Sequence, residues 1–338
     1  MDQLNWGILG TGNIARTFAK AVQNSETGVL TAVGSRTQEA ADKFGKEFGI
    51  NRRYGSYAAI LEDPEVQAVY ISLPNHLHAE WGIKCAQAEK HILCEKPLTV
   101  NHAEAMRLVD EVDRNHVFLM EAFMYRCHPQ TQKLKEILKS GAIGDVRLIQ
   151  SNFCYNMGPK YENIRLSNPA AGGGIMDVGC YTMSMARLIA GADPIDVKGS
   201  AFIGPVSRVD EQATASVLFP GGIVANLACA TQVSADNELR IWGSAGSIRV
   251  PNPWFPGERG NRILVQKTGD DKPTEVVVNG GAGLYSIEAD TVARNIENFS
   301  APPPCMTWLD SLGNMAALDK WRKSVKLVFD VEKGRRRG

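Results

Sequence analysis

Short apolar runs alternate with amphipathic stretches from the first residues of the chain to about residue 121. The apolar runs predict strands over residues 4–9, 30–34, 66–73, 91–94 and 117–120. Helical spacing of apolar positions predicts helices over residues 14–22, 40–48, 78–88 and 103–112. The run at 66–73 is apolar or small throughout, as expected for a strand that helices cover on both faces. The βαβ alternation predicts a Rossmann-type, doubly wound parallel sheet.

The pattern changes after residue 121, where longer strands with alternating polar and apolar faces begin. These strands are predicted over residues 146–153, 197–203, 213–219, 223–230 and 239–242. Helices are predicted over residues 131–138, 177–189, 288–299 and 309–323. Glycines at 221–222 and the turn at 244–246 indicate hairpins. We therefore predict an α/β domain over residues 1–121 and an α+β domain with a largely antiparallel sheet over 122–338.

Composition narrows the range of partners. The chain has 338 residues with 37 basic and 37 acidic side chains, and this zero net charge argues against nucleic acid, which requires a basic surface. No apolar run approaches the ~20 residues that cross a bilayer, and a strand is predicted almost at once without a basic start and apolar signal region, so we expect no leader and no membrane partner. The seven cysteines are odd in number and contain no CxxC pair, which predicts reduced thiols in a cytoplasmic protein.

A glycine-rich turn follows the first strand and opens a helix, with the sequence GTGNIA at residues 10–15. Gly10 permits a tight turn, and Gly12 lets the backbone approach a pyrophosphate. Ala15 replaces the third glycine, at a position that requires only close helix–strand packing. The helix N-terminus adds partial positive charge. Together these features predict a dinucleotide site that also includes Thr11, Asn13 and Ile14.

The end of the second strand bears on the choice of cofactor. An enzyme that prefers NAD usually places Asp or Glu there to bind the ribose 2′-hydroxyl, whereas this chain has Ser35 and Arg36. A hydroxyl and a guanidinium suit a 2′-phosphate, so NADP is favoured over NAD. The alternative is that Arg36 is a solvated residue at the start of a helix.

A lysine follows the predicted strand at 91–94, within the sequence Glu95-Lys96-Pro97. This position lies at the carboxyl edge of a parallel sheet, where such folds bind ligands. Asp177 and Tyr181 lie four residues apart where a helix is predicted to begin, so they share one face. The glycines at 172–174 offer backbone room for a ligand. Lys96 and Tyr181 are therefore candidate catalytic residues, with Asp177 as a candidate substrate ligand.

Five fragments, in this order and spacing, resemble the Gfo/Idh/MocA oxidoreductases over essentially the whole chain: GTGNIA, SLPNHLH, CEKPL, MEAFMYRCHPQ and GGGIMDVGCY. Within that family the chain resembles the subset that contains the D-xylose dehydrogenases and dimeric dihydrodiol dehydrogenases. The resemblance implies a Rossmann domain, an open-faced sheet that mediates dimerisation, and hydride transfer on sugars or cyclic polyols. It also implies a homodimer or a dimer of dimers.

The resemblance assigns roles to further residues. Many family members have histidine at the position of Tyr181, and tyrosine there is typical of the xylose and dihydrodiol subset, in which it carries the acid–base role. By resemblance, Glu95 and the Pro74-Asn75 turn contribute to the cofactor site, and the Lys96–Pro97 bond is cis. In the resulting hypothesis Tyr181 removes the hydroxyl proton while Lys96 polarises that oxygen.

Several side chains keep two interpretations open. His78 is either a substrate-facing donor or a structural histidine, and Phe153 and Trp254 either cover the substrate or belong to the core. His76 and His78 alternate along the chain, but no cluster completes a ligand set, so we predict no metal. The leading function is an NADP-dependent oxidoreductase of a carbohydrate or cyclic polyol. The alternatives are a redox-assisted, NAD-dependent glycosidase and a dinucleotide-sensing regulator.

Overall fold

The computed structural model describes residues 3–333, and the chain divides into two compact units. The first unit comprises residues 3–128 and Ala282–Ser311. The second comprises Pro129–Gly281 and residues 312–333. The single domain boundary near residue 121 remains a prediction. That boundary does not account for residues 282–311, which follow the second unit in the chain but belong to the first.

In the described residues the strands are β1 (Leu4–Leu9), β2 (Gly28–Gly34), β3 (Arg52–Tyr54), β4 (Ala68–Ile71), β5 (His91–Glu95), β6 (Leu119–Ala122), β7 (Val146–Cys154), β8 (Asp196–Ile203), β9 (Asp210–Leu218), β10 (Val224–Ala230), β11 (Leu239–Gly243), β12 (Gly246–Val250), β13 (Asn261–Lys267) and β14 (Thr274–Val278). The α-helices are α1 (Asn13–Gln23), α2 (Gln38–Phe48), α3 (Ala58–Leu61), α4 (His78–Gln87), α5 (His102–Arg114), α6 (Met124–Cys127), α7 (Pro129–Lys139), α8 (Cys180–Ala190), α9 (Leu284–Asn295), α10 (Trp308–Ser324) and α11 (Asp330–Lys333). Within residues 3–333, no helix is long and apolar enough to span a bilayer.

The sheet of the first unit has the strand order β3-β2-β1-β4-β5-β6, and neighbouring strands pair in parallel. The order reverses between β1 and β4, which creates a crevice at the carboxyl ends of the strands. The predicted doubly wound parallel sheet is thus confirmed. Helix α2 begins at Gln38, two residues before the predicted start, because the Thr37 side chain accepts a hydrogen bond from the Ala40 N–H.

Aromatic packing fills the core beneath this sheet. Trp6 and Tyr70 come from neighbouring strands, and Phe18 of α1 contacts both of them, edge-on to Trp6 at 5.1 Å and stacked on Tyr70 at 3.9 Å between ring centroids. All three side chains are fully buried. Their burial fixes α1, and with it the turn that precedes it, against the sheet.

The segment 282–311 is joined to the first unit through a buried carboxylate. Oδ1 of Asp290 in α9 accepts hydrogen bonds from the hydroxyls of Ser25 and Thr27 and from the Thr27 N–H. Ser286 of the same helix donates to the Ala21 carbonyl at 2.9 Å. These bonds fasten α9 to the α1–β2 connection, at the end of α1 remote from the glycine-rich turn.

The sheet of the second unit has the order β14-β13-β12-β11-β7-β10-β9-β8. Only β7 and β10 pair in parallel among its described strands, and the other neighbours are antiparallel, which confirms the largely antiparallel prediction. Buried and exposed positions alternate along β9, so one face of the sheet packs inward and the other is open.

Candidate active site

The predicted cofactor residues of the first unit follow four parallel strands. Gly10 follows β1, Ser35 and Arg36 follow β2, Pro74 and Asn75 follow β4 by a few residues, and Glu95 ends β5. Because the strands are parallel, their carboxyl ends meet at one edge of the sheet. The topology therefore brings these residues to the same edge, where Lys96 also lies.

The glycine-rich turn fits a pyrophosphate. Gly10 has φ +102°, and a Cβ there would lie 2.9 Å from Ser72 Oγ, so both the backbone angle and the space require glycine. At Gly12, by contrast, an added Cβ would meet no atom within 4 Å, which leaves the turn open on that side. Gly12 is also the N-cap of α1 and supplies no side-chain cap. The first N–H groups of this helix thus face a space in which an anion can bind.

The residues after β2 fit a ribose phosphate. Ser35 is buried with its hydroxyl 3.4 Å from that of Thr11, and Arg36 is exposed. No carboxylate occupies these two positions, so repulsion of a 2′-phosphate by either residue is excluded. Arg16, a further cation near the turn, forms an ion pair with Glu47 and lies over the Phe44 ring.

The turn that carries Lys96 is held by buried groups of the first unit. The Lys96–Pro97 peptide bond is cis, as the resemblance implies. Glu95 accepts a hydrogen bond from the Tyr70 hydroxyl, and Glu121 of β6 accepts one from the Leu98 N–H at 2.7 Å. The second oxygen of Glu121 accepts from a serine hydroxyl of α10, also at 2.7 Å. The backbone on both sides of Lys96 is therefore anchored to the core, while the lysine itself is only partly buried.

His78 lies in this unit but does not present a ring nitrogen to a ligand. It is fully buried, with Nδ1 2.8 Å from the Pro97 carbonyl and Nε2 2.7 Å from the Leu73 carbonyl. Burial lowers the pKa of its imidazole to about 4. Both ring nitrogens thus face the backbone, and this geometry corrects the expectation of a substrate-facing donor. His78 instead connects the end of the β4 strand to the Lys96–Pro97 turn.

In the second unit, Asp177 lies in a π-helical turn, Ile175–Gly179, that continues directly into α8. Its carboxylate accepts a hydrogen bond from the Tyr155 hydroxyl at 2.5 Å and from Arg165 Nε at 3.2 Å to each oxygen. Burial and the Asp177 charge raise the pKa of Tyr155, so this phenol stays protonated and acts as a donor. Arg165 carries no motif signal in the sequence, and only the structure identifies it as a partner of Asp177.

Tyr181 belongs to an aromatic cluster in the same unit. Its ring meets Phe153 edge-on at 5.2 Å and Trp254 at 6.0 Å, and Phe153 stacks on Trp254 at 5.6 Å. Trp254 is only 1% exposed, and its indole N–H donates to the Asn152 carbonyl at 2.8 Å. Phe153 and Trp254 thus support the Tyr181 ring, and direct contact of either with a substrate remains a prediction.

The strand β7 brings the two candidate residues of this unit together. Phe153 of β7 contacts Tyr181, and Tyr155, which directly follows the strand, contacts Asp177. Side chains two residues apart point to one side of an extended chain. Asp177 and Tyr181 therefore contact neighbouring positions of the same segment.

The glycines at 172–174 have a different use from the one expected. A Cβ at Gly172 would lie 2.4 Å from the Ile164 carbonyl oxygen, and one at Gly173 would lie 2.2 Å from Asp210 Oδ1. The space that these glycines leave is filled by the chain itself. The expected room for a ligand at this point is thus corrected to room for a backbone carbonyl and a buried carboxylate.

Comparison with known proteins agrees with this arrangement. Residues 4–123 match an oxidoreductase family with an NAD-binding Rossmann fold, and residues 131–249 match the GFO/IDH/MocA C-terminal domain. The chain is 30% identical over 342 residues to the mouse trans-1,2-dihydrobenzene-1,2-diol dehydrogenase, covering 98% of this chain and 99% of that protein. The chain belongs to the Gfo/Idh/MocA oxidoreductase family.

Two further relatives of this Gfo/Idh/MocA member refine the comparison. An NADP-dependent D-xylose 1-dehydrogenase of Haloferax volcanii is 37% identical over 251 residues, covering 74% of this chain and 76% of that protein. A 3-ketoreductase from Actinomadura kijaniata, solved with NADP and TDP-benzene, superposes with a TM-score of 0.87 at 27% identity, over 96% of this chain and 98% of that one. That enzyme has also been solved with a tyrosine replaced by phenylalanine and with a lysine replaced by alanine.

Proposed function

We propose that this oxidoreductase transfers a hydride between NADP and a carbon of a sugar or cyclic diol. Lys96 carries the proposal, because it follows β5 at the same sheet edge as the glycine-rich turn and Arg36. The relatives support the substrate class, since they are named for xylose, for a dihydrodiol and for a 3-keto substrate.

The first unit would hold the cofactor. The N–H groups that begin α1, together with Gly10, Thr11, Gly12, Asn13 and Ile14, would bind the pyrophosphate, and Ser35 with Arg36 would bind the 2′-phosphate. Pro74, Asn75 and Glu95 lie at the same edge and would line the nicotinamide end. When bound, NADP supplies a carbon that accepts or gives the hydride.

Lys96 and Tyr181 would share the proton chemistry. Lys96 donates a hydrogen bond to the reacting oxygen and stabilises negative charge on it as its proton leaves. Tyr181 takes that proton as a general base, or returns it when a carbonyl is reduced. The aromatic cluster that fixes the Tyr181 ring limits its rotation, which favours a single orientation of the hydroxyl.

Asp177 would bind a second hydroxyl of the substrate. Its carboxylate already accepts bonds from Tyr155 and Arg165, and these two donors fix its orientation. An ionised carboxylate only accepts hydrogen bonds, so Asp177 would bind a substrate hydroxyl as the acceptor. A sugar or diol, which carries adjacent hydroxyls, suits such a pair of groups better than a simple alcohol does.

We also propose that the protein is a cytoplasmic homodimer. Its seven cysteines are all free thiols. The open face of β8, β9 and β10 bears mainly small and polar side chains, together with the exposed Phe202 and Leu218. A second copy of the chain could cover this face.

Initial rates with NADP and NAD over aldoses, cyclic diols, polyols and the matching ketones test the function. We expect reduction of NADP by at least one aldose or diol, with NADP preferred over NAD. Glycoside cleavage without net cofactor turnover would contradict this and favour a glycosidase. Tight NADP binding with no turnover of any substrate would also contradict it and favour a regulator.

A further inference from the structure

Beneath the helix that carries Asp177 and Tyr181 lies a fully buried acid of the same unit, Asp210, at the start of β9. Its Oδ2 accepts a hydrogen bond from the Ile175 N–H at 2.6 Å. Ile175 begins the π-helical turn that contains Asp177. The carboxylate thus satisfies a donor at the N-terminus of this helical segment, where no side chain of the segment itself serves as an N-cap.

The chain is shaped to admit this carboxylate. Gly173 has φ +103°, and a Cβ there would lie 2.2 Å from Asp210 Oδ1. A Cβ at Gly174 would lie 3.1 Å from Oδ2. Any side chain at Gly173 would therefore displace Asp210 as well as strain the backbone. The turn that precedes the helix therefore packs directly against the Asp210 carboxylate.

The Asp210 carboxylate has few polar neighbours apart from the start of this helical segment. Asp210 Oδ1 has no hydrogen-bond partner among residues 3–333, so the carboxylate makes its close contact with the start of the helix. The charged and titratable groups whose fields reach it are Arg322 of α10 and the Cys229 thiol of β10. Arg322 is itself paired with Asp319 and Glu332.

We propose that Asp210 is a positioning residue for the reaction, which sets the helical segment at 175–181 and thereby the placement of Asp177 and Tyr181. It touches neither substrate nor cofactor in this account and acts through the helix. The inference rests on the proposed function, because it assigns Asp210 to the geometry of those two side chains. It requires nothing of the cofactor residues, which lie in the other unit.

The test compares three variants by hydrogen exchange and by kinetics. Asp210→Ala removes the acceptor, Asp210→Asn retains an oxygen for the Ile175 N–H, and Asp193→Asn serves as the control. Asp193 accepts from Arg187 Nε at 2.9 Å near the other end of the same helical segment. Hydrogen exchange is read on peptides that cover residues 175–181, and it requires neither a substrate nor a bound cofactor.

We expect Asp210→Ala to lose exchange protection over 175–181 and to lower kcat/KM for the sugar by at least about 10-fold, with NADP affinity unchanged within about 2-fold. Asp210→Asn should retain most of the wild-type exchange protection and kcat/KM. Asp193→Asn should change neither the protection nor kcat/KM. Unchanged protection, or an Asp210→Ala enzyme as active as the wild type, would overturn the inference. If the wild type turns over no sugar or diol, the proposed function fails instead, while the exchange result still decides the role of Asp210 in the helix.

Discussion

The properties of single side chains in this enzyme depend on how the neighbouring residues hold them. Tyr181 is fixed by Phe153 and Trp254, and Asp177 is fixed by Tyr155 and Arg165. In the other unit, the backbone beside Lys96 is bonded to Glu121. Each candidate residue thus has supporting contacts within its own unit, as precise placement of reacting groups requires.

Replacing Tyr181 with Phe separates chemistry from packing. The phenylalanine keeps the ring contacts to Phe153 and Trp254, so we expect the free energy of unfolding to change by less than about 1 kcal/mol. Loss of the hydroxyl removes the general base, and kcat should fall by at least about 100-fold. Tyr54→Phe is the control, since its hydroxyl bonds Asp63 at 2.9 Å in the first unit. Full turnover by the Tyr181→Phe enzyme would remove Tyr181 from the mechanism.

Asp210 should also make stability depend on pH. Burial raises its pKa from 3.8 to about 7, so the folded protein binds a proton that the unfolded chain releases between these values. The contribution of Asp210 to the free energy of unfolding is fully present below pH 3.8 and is lost as the pH rises towards 7. Asp210→Asn cannot titrate, so its thermal midpoint relative to the wild type should rise from pH 5 to pH 8. A constant difference between the two proteins would refute the assignment.

At the scale of secondary structure, apolar periodicity predicted most helices and strands. It did not reveal those whose formation depends on pairing or hydrogen bonding with neighbouring segments. The β1 and β5 strands are apolar runs and are read directly from the sequence. The β3 strand has the sequence Arg-Arg-Tyr, so it lacks a hydrophobic signal, and among the described strands it pairs with β2 alone at the sheet edge. The π-helical turn before α8 forms i→i+5 rather than i→i+4 hydrogen bonds, and five residues are too few for apolar spacing to reveal the change.

The glycines at 172–174 show why the site could be read only in part. Three consecutive glycines indicate a close approach of some group, and the sequence cannot say which one. The Ile164 carbonyl approaches Gly172 and the Asp210 carboxylate approaches Gly173, and Asp210 lies far along the chain from these glycines. Sequence motifs were enough to predict Lys96, Asp177 and Tyr181 as site residues. Arg165 and Asp210 could be identified only from the structure.

The segment after β2 should determine cofactor preference. Arg36→Ala removes the guanidinium proposed to bind the 2′-phosphate, and a hydrogen bond to a charged group contributes about 1.5–3 kcal/mol. We therefore expect KM for NADP to rise roughly 10- to 100-fold with little change for NAD. Arg107→Ala is the control, since Arg107 is an exposed arginine of α5. Equal effects on both cofactors would argue against a phosphate contact.

At the scale of the whole molecule, long-range contacts define the two units more than chain order does. The segment 282–311 belongs to the first unit through Asp290, which bonds Ser25 and Thr27. Hydrophobic periodicity does not reveal such a return, because it reports local structure only. The parallel and antiparallel sheets were nevertheless predictable, since each has its own pattern of buried positions.

The open face of the second sheet should carry the dimer contact. Ser216 and Asn226 are cross-strand partners on β9 and β10, and both are exposed. Replacing both with Arg would place like charges at the contact in both copies. By light scattering after size exclusion we expect the wild type at about twice the 36.9 kDa chain mass and the double variant at the chain mass. Gln132→Arg on α7 is the control, and a double variant of unchanged mass would exclude this face.

The most direct measurement follows the hydride itself. The best substrate from the panel is labelled with deuterium at the carbon that becomes oxidised, and the reduced NADP is examined by NMR and mass spectrometry. Direct transfer predicts one deuterium at C4 of the nicotinamide, on a single face, in ordinary water. Reduced NADP that carries only solvent hydrogen at C4 would contradict the account.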